Sequence, residues 1–422
     1  MAGPLHGIRV LEFTEIIAGP FAGMLLADMG ADVIKVEPPW GEPWRLNQQF
    51  MPLESRTFIS LNRGKRSLPL DLAKPQAREI AHKLARQVDV VLVNYRPDVP
   101  AKLGIDYETL SALNPRLIYC ENTAFGSRGP HSHRPGYDII AQAMTGLMAS
   151  EGKVTKGLPE QVVSTPIADF STGIAIAWSV CAALFHRERT GRGQKIETTL
   201  LGTAMAVQTS RMLLVESLEG ETRRALLDEL AHLRAAGASY EVMQEHYQKS
   251  RNRPPGNIYY RMYQTADGQM AVGCLSEPLR KRLADLLGLH DIRFEPGYDA
   301  KTPEAQAFGD ELVTKAEALF LQKTTQEWLR LLDEARIPAG PVMFSEELLE
   351  DAQVLANGLV TELEHSKAGK IRMVAPFLTM SETPLESRMA SPALGEHTDE
   401  LLGGLGYSSA EVAALREKGV TR

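Results

Sequence analysis

Several things that would classify this chain at once are missing from it. There are three cysteines in 422 residues, Cys120, Cys181 and Cys274, far apart and with no CxxC pair. No disulfide framework is expected, and buried thiols in a reducing cytoplasm are. Residues 1–30 hold no charged stretch followed by a clean apolar block, so no signal peptide is expected. The longest apolar run, Ile174 to Phe185, has twelve residues. A bilayer-spanning helix needs about 20, so no membrane partner is expected. A net charge of -7 and a pI near 5.9, without a basic cluster, argue against a nucleic-acid surface.

Chemical signatures are absent too. Ten histidines show no HExxH and no ligand spacing, so no metal centre is expected. There is no GxSxG and no Walker loop. The first β-α turn, "EFTEIIAGPFAG", is not GxGxxG. Glu37 stands near the place of a ribose-binding acid, but the glycine fingerprint is lacking, so a nicotinamide or flavin cofactor is weakly supported. There is no internal repeat and no low-complexity segment.

What is present is a large apolar fraction, 44% of the residues, arranged in alternating patterns over the first 200. "IRVLEF", "ADVIKVEPP", "DVVLVN" and "RLIYCEN" read as buried strands. Between them, "PFAGMLLADMG" reads as a helix opening on Pro20, "QAREIAHKLARQV" has helical spacing, and "YETLSALN" follows Asp106 as N-cap. Strands alternating with helices predict β-α-β units and a doubly wound α/β sheet. After residue 205 the character changes. Residues 220–252 are charged and helical by pattern. "IYYRMYQTADGQMAVGC" reads as a hairpin turning at Asp267-Gly268, and amphipathic helices run to about residue 335. The expected division is a large domain over 1–205, a linker at 206–225, a small α+β domain at 226–335, a linker at 336–350 containing "RIPAGPV", and a return to the large domain over 351–422.

One carboxylate stands out. Asp169, in "TPIADFSTGIAIAW", precedes the apolar run. Asp169, Ser171 or Thr172 can cap a helix that begins near Gly173, at about 1 kcal/mol. Alternatively, a carboxylate at a helix N-terminus, kept ionised by the dipole and facing a cleft, is a nucleophile suited to activated acyl groups. Local sequence leaves both open. "NRGKRSLPLDL" puts Arg63, Lys65 and Arg66 before a strand, and "NYRPDVPAKLG" adds Arg96 and Lys102. These basic residues either meet phosphates of a nucleotide-bearing ligand or form a solvated face. "HRERTGRG" reads as a solvated helix end stopped at Thr190-Gly191.

Taken as a set, "LEFTEIIAGPFAGMLLADMGADVIKVEPP", "NRGKRSLPLDL", "VDVVLVNYRP", "LNPRLIYCENTAFGSRGP", "RPGYD", "ADFSTG", "ALFHRERTGRGQ", "IPAGPV" and "PALGEHTDELLGGLGYS" resemble the family III CoA-transferases, in order from about residue 5 to residue 420. The superfamily includes carnitine and formyl-CoA:oxalate CoA-transferases and 2-methylacyl-CoA racemase. The resemblance implies that Asp169 is the nucleophile, that coenzyme A or acyl-CoA enters as substrate with no bound cofactor, and that CoA contacts fall on Ala18, Leu70, Asn94, Tyr95, Lys102, Tyr137 and Leu200. It implies a carboxylic acid as second substrate and a Rossmann-like large domain in an interlocked homodimer, a threading that general folding rules disfavour. Ile17 stands where the oxalate enzymes carry glutamine, Pro38 where they carry arginine, and "RPPGN" where they carry a glycine-rich flap. These departures point away from oxalate and formyl-CoA. The alternative on this scaffold is a racemase, which needs an acid/base pair across the α-carbon. Its histidine motif reads "GYD" here, and Tyr137, with an ordinary pKa near 10, is a poor carbanion base. His131 and His133 lie nearby in sequence. Arg45, Arg261 and Tyr260 are candidate acid-binding residues.

Overall fold

The computed structural model describes residues 2–250, 256–299 and 302–422. Six strands form one parallel sheet: β1 (Arg9–Phe13), β2 (Asp32–Glu37), β3 (Lys65–Pro69), β4 (Val90–Val93), β5 (Ile118–Thr123) and β6 (Gln194–Thr199). Their order across the sheet is β6-β5-β4-β1-β2-β3. In register, Val10 sits between Val33 and Val90. This is the doubly wound arrangement expected from sequence, and its strand order reverses between β1 and β4.

Both faces of the sheet are covered, which is why the strands read as continuous apolar runs. Successive side chains point to opposite faces. Leu11, Phe13, Ile34, Val36, Val91 and Val93 pack on one side, with α2 (Pro75–Ala85) and, from the far end of the chain, α6 (Thr398–Gly404) and α7 (Ser409–Glu417). Val10, Val33, Val90, Leu92 and Ile118 pack on the other, under α1 (Ala18–Asp28) and α4 (Ile167–Thr190). Asp106 caps α3 (Tyr107–Leu113) through Thr109 N–H at 2.9 Å, as its position predicted.

α4 is long and apolar enough to cross a membrane by length and composition alone. Here Ile176, Ala177, Val180 and Leu184 bury one face of it in the sheet core, and Arg187 near its end pairs with Asp89 at 2.9 Å. Arg187 is thus buried rather than part of a solvated helix end. The helix stops at Gly191, whose φ of 73° is left-handed and costs glycine little. At Gly173 α4 crosses α1 so closely that a Cβ would come within 2.9 Å of the Ala18 carbonyl oxygen.

The chain divides into two compact units, residues 1–245 with 352–422, and residues 246–351. These limits differ from the expected linkers. The helix Glu216–Ala235 runs unbroken across residue 226, and Ala339–Pro341 pairs with Gln269–Gly273 as the third strand of the small sheet. A short proline-bearing segment fits an edge strand, so "PAGP" is structure where a linker was expected. The Tyr260–Gln264 and Gln269–Gly273 hairpin turns at Asp267-Gly268 as expected. Tyr263, Phe320 and Trp328 form the heart of that unit's core. The "RPPGN" loop at 253–257 lies largely outside the described residues.

Candidate active site

Ligands of open α/β sheets bind beyond the carboxyl ends of the strands, where the strand order reverses. A cleft of about 320 Å³ opens there, between the ends of β1 and β4. Its lining includes Glu15, Asn94, Tyr95, Arg134, Tyr137 and Asp169. Five expected site residues therefore share one cleft: Asp169, Asn94, Tyr95, Tyr137 and Leu200. Ala18 is buried beside it, and its backbone N–H favours the ionised Asp169 carboxylate. Leu70 lines a different cavity of about 500 Å³, which Glu15 and Tyr95 also border. Lys102 lines neither cavity, is exposed, and holds Asp98 at 2.6 Å.

Asp169 does not cap its helix. α4 begins at Ile167, six residues earlier than expected, and Asp169 lies within the first turn. The cap comes from elsewhere: the Asp138 carboxylate accepts from Ala168 N–H at 2.7 Å and Asp169 N–H at 3.3 Å. Asp138 opens the helix Asp138–Met144 and follows Tyr137 in "RPGYD". Sequence reasoning passed over it, although an acid beside a motif residue was the available signal.

Burial and the neighbouring Asp138 charge push the Asp169 carboxyl up to about 7, against the pull of the Ala18 N–H. The helix dipole does not hold it at the ordinary carboxylate value, as had been expected. Near neutrality a sizeable share remains ionised, in a low-dielectric cleft, and a desolvated carboxylate is more nucleophilic than a hydrated one. Burial also raises Glu15 at the cleft wall, assisted by Glu42.

The turn joining β1 to α1 forms one wall. Asn94 ties it to the end of β4, accepting from Glu15 N–H at 2.9 Å and donating to the Glu15 carbonyl at 2.8 Å. Gly19 is required here, because a Cβ would lie 2.3 Å from that of Thr14. Among the described residues, no histidine lines the cleft. His133 borders an adjoining cavity of about 620 Å³, and His131 lies 3.3 Å from an Arg134 nitrogen.

Arg63, just before β3, and Lys65 and Arg66, within it, are paired inside the fold. Arg63 is buried against Asp28 at 2.6 Å and Lys65 against Glu12 at 2.9 Å, and Arg66 grips Asp32. Each neutralises an acid of the fold, since an unpaired buried charge is too costly to keep. Arg45 is buried likewise, making two bonds to Glu37 at 2.7 and 2.8 Å over the Phe58 ring, and is no acid-binding residue. Arg261 pairs with Glu317 in the small unit, and Tyr260 is exposed. Arg96 and Arg134 do line the cleft. Arg134 has no carboxylate partner among the described residues. Those residues hold no cluster of His, Cys, Asp or Glu fit for a metal ion.

Comparison with known proteins follows the same lines. Residues 5–398 match the sequence profile of CoA-transferase family III. The chain is 35% identical to a succinate–glutarate CoA-transferase of Agrobacterium fabrum, over 95% of this chain and 96% of that protein. It is 32% identical to a formyl-CoA:oxalate CoA-transferase of Rhodopseudomonas palustris, over 100% of this chain and 98% of the relative. A solved CaiB/BaiF family protein from Brucella suis superposes with a TM-score of 0.72 at 29% identity, covering 96% of this chain and 100% of that one. A hypothetical protein from Mycobacterium tuberculosis gives 0.74 at 28%, over 95% and 99%. A sequence match of that extent, on a doubly wound sheet whose switch-point cleft holds a buried carboxylate, makes the chain a member of CoA-transferase family III.

Proposed function

We propose that this CoA-transferase moves CoA between an acyl-CoA thioester and a free carboxylic acid through covalent intermediates on Asp169. An Asp169 oxygen attacks the thioester carbonyl, the C–S bond breaks, and CoA leaves as thiolate from a mixed anhydride. The thiolate then attacks the Asp169 carbonyl, forming an aspartyl thioester and expelling the donor acid as its carboxylate. The acceptor carboxylate attacks that thioester, and the returning thiolate takes the new acyl group, which regenerates Asp169. One thioester replaces another, so the overall free-energy change is small and no redox or metal step is called for.

The observation that carries this reading is the placement of Asp169 in the switch-point cleft under the Ala18 N–H. That donor is suited to an oxygen that gains charge as either carbonyl is attacked. Asn94, Tyr95, Tyr137 and Leu200 line the route to Asp169, with Leu70 in the neighbouring cavity, and these are the proposed CoA contacts. Lys102 is retained only as an exposed cation paired with Asp98. Arg96 and Arg134 supply positive charge for anionic substrates. A racemase would need a second base across the α-carbon, and the cleft lining holds no histidine among the described residues, which weighs against it. Succinyl-CoA and glutarate are the first pair to try, because curated relatives are named for them.

An interlocked homodimer is proposed on the family resemblance. Ile174, Trp178 and Phe185 on α4 are 49%, 75% and 66% exposed in the single chain, an apolar face that a second copy would cover. Three unpaired thiols suit the cytoplasm. The test is mass spectrometry after incubation with an acyl-CoA panel and hydroxylamine. A hydroxamate at Asp169 that depends on acyl-CoA is expected. Solvent deuterium entering the α-carbon of a 2-methylacyl-CoA, with Asp169 unmodified, would favour the racemase instead.

A further inference from the structure

The turn over the cleft is held in a conformation its sequence resists. Ile16 has φ of 73°, in the left-handed region that β-branched residues avoid. Left unsupported, an L-residue disfavours that state by roughly 5- to 30-fold. A chain of buried polar groups holds it there. Glu42 accepts from the Ile16 N–H at 2.8 Å. Lys35, wholly buried, lies 3.1 Å from Glu42 and 3.1 Å from Glu12, and donates to the Thr14 carbonyl at 2.8 Å. Glu12 also accepts from the Thr14 hydroxyl at 2.9 Å. Two residues after Ile16 comes Ala18, whose N–H favours the ionised Asp169 carboxylate.

We propose that Glu42, anchored by Lys35, is a positioning residue for the transfer step: it fixes Ile16 in the left-handed conformation and so aims the Ala18 N–H at the Asp169 carboxyl. Glu42 does not itself line the cleft and reaches it only through Ile16, which does. Buried ion pairs contribute little net stability compared with apolar packing, and strained backbone collects at functional sites. A Glu42–Lys35 pair whose free oxygen goes to a strained amide fits that pattern. This inference rests on the proposed role of Asp169.

The test is a double-substitution cycle in the full-length protein, read as steady-state transfer from succinyl-CoA to glutarate, with the Asp169 hydroxamate trapped in parallel. Glu42→Gln should lower kcat about tenfold while KM for succinyl-CoA stays within about twofold. Glycine reaches the left-handed region freely, so Glu42→Gln in an Ile16→Gly background should cost less than about threefold. Glu42→Asp keeps the charge but withdraws the oxygen from Ile16, and should match Glu42→Gln even if the latter folds poorly. Equal losses in both Ile16 backgrounds, or a loss lying in KM, would overturn the proposal while leaving a wild-type hydroxamate at Asp169 in place. A wild type that forms no hydroxamate would overturn the Asp169 reading and this one with it.

Discussion

Replacing Asp169 by asparagine should stabilise the protein as it abolishes transfer. The carboxyl, ordinarily at 3.8, is pushed up to about 7 by burial and by Asp138. Between those values the folded chain holds a proton that the unfolded chain has released. Stability from this group is therefore full below about pH 4, declines to about pH 7 and is level beyond. Relative to the protonated state, the cost is roughly 4 kcal/mol at pH 8 and roughly 2 kcal/mol at pH 5. Asparagine does not titrate, and its side-chain oxygen can still accept from the Ala18 N–H. Asp169→Asn should melt on the order of 5–10 °C above wild type at pH 8, with that advantage roughly halved at pH 5. Scanning calorimetry of both proteins at the two pH values reads the difference directly, and effects common to both cancel. A gain independent of pH, or larger at pH 5, would refute the electrostatic account. Retained transfer activity would refute the nucleophile assignment.

Three further outcomes are expected. Asp138→Asn removes the charge that raises Asp169, so the midpoint of the kcat–pH profile should move to lower pH; an unmoved or rising midpoint contradicts the coupling. Asn94→Ala deletes both bonds to the Glu15 backbone and should lower stability by about 2 kcal/mol, measurable by denaturant titration. Arg134→Met should raise KM for glutarate about tenfold, through loss of a charged hydrogen bond, and leave calorimetric CoA binding unchanged. A weakened CoA affinity would assign that arginine to a phosphate instead.

β1, β2, β4 and β5 were legible because each is an apolar run bounded by glycine, proline or a polar turn, and the parallel sheet follows from their alternation with helices; β3, "KRSLP", was not, because Lys65 and Arg66 read as cations ahead of a strand. The sixth strand was not: "QKIETT" sits at the sheet edge, pairs only with β5, and carries a mixed polar pattern. The start of α4 escaped prediction because its cap belongs to Asp138, 31 residues earlier than Asp169. Arg45, Arg63 and Lys65 read as free cations because sequence does not display Glu37, Asp28 and Glu12 as their partners. Asp169 drew attention from local pattern, yet only the family resemblance favoured a nucleophile over a cap. Its raised pKa comes from packing that no window of residues contains.

The last seventy residues set a schedule for synthesis. Arg45 donates to the Pro392 carbonyl, Arg63 to that of Val374, and Thr421 to that of Pro69, while Asp71 N–H reaches Val420. None of these acceptors beyond Pro69 exists when the sixth strand leaves the ribosome. At roughly 5–20 residues per second, the emerging sheet waits about ten to forty seconds for the end that completes it. During that interval α2 has no α6 or α7 beside it, and buried arginines lack carbonyls they will later hold. A message truncated before residue 374 should yield not a shortened enzyme but a nascent chain handed to chaperones and proteases.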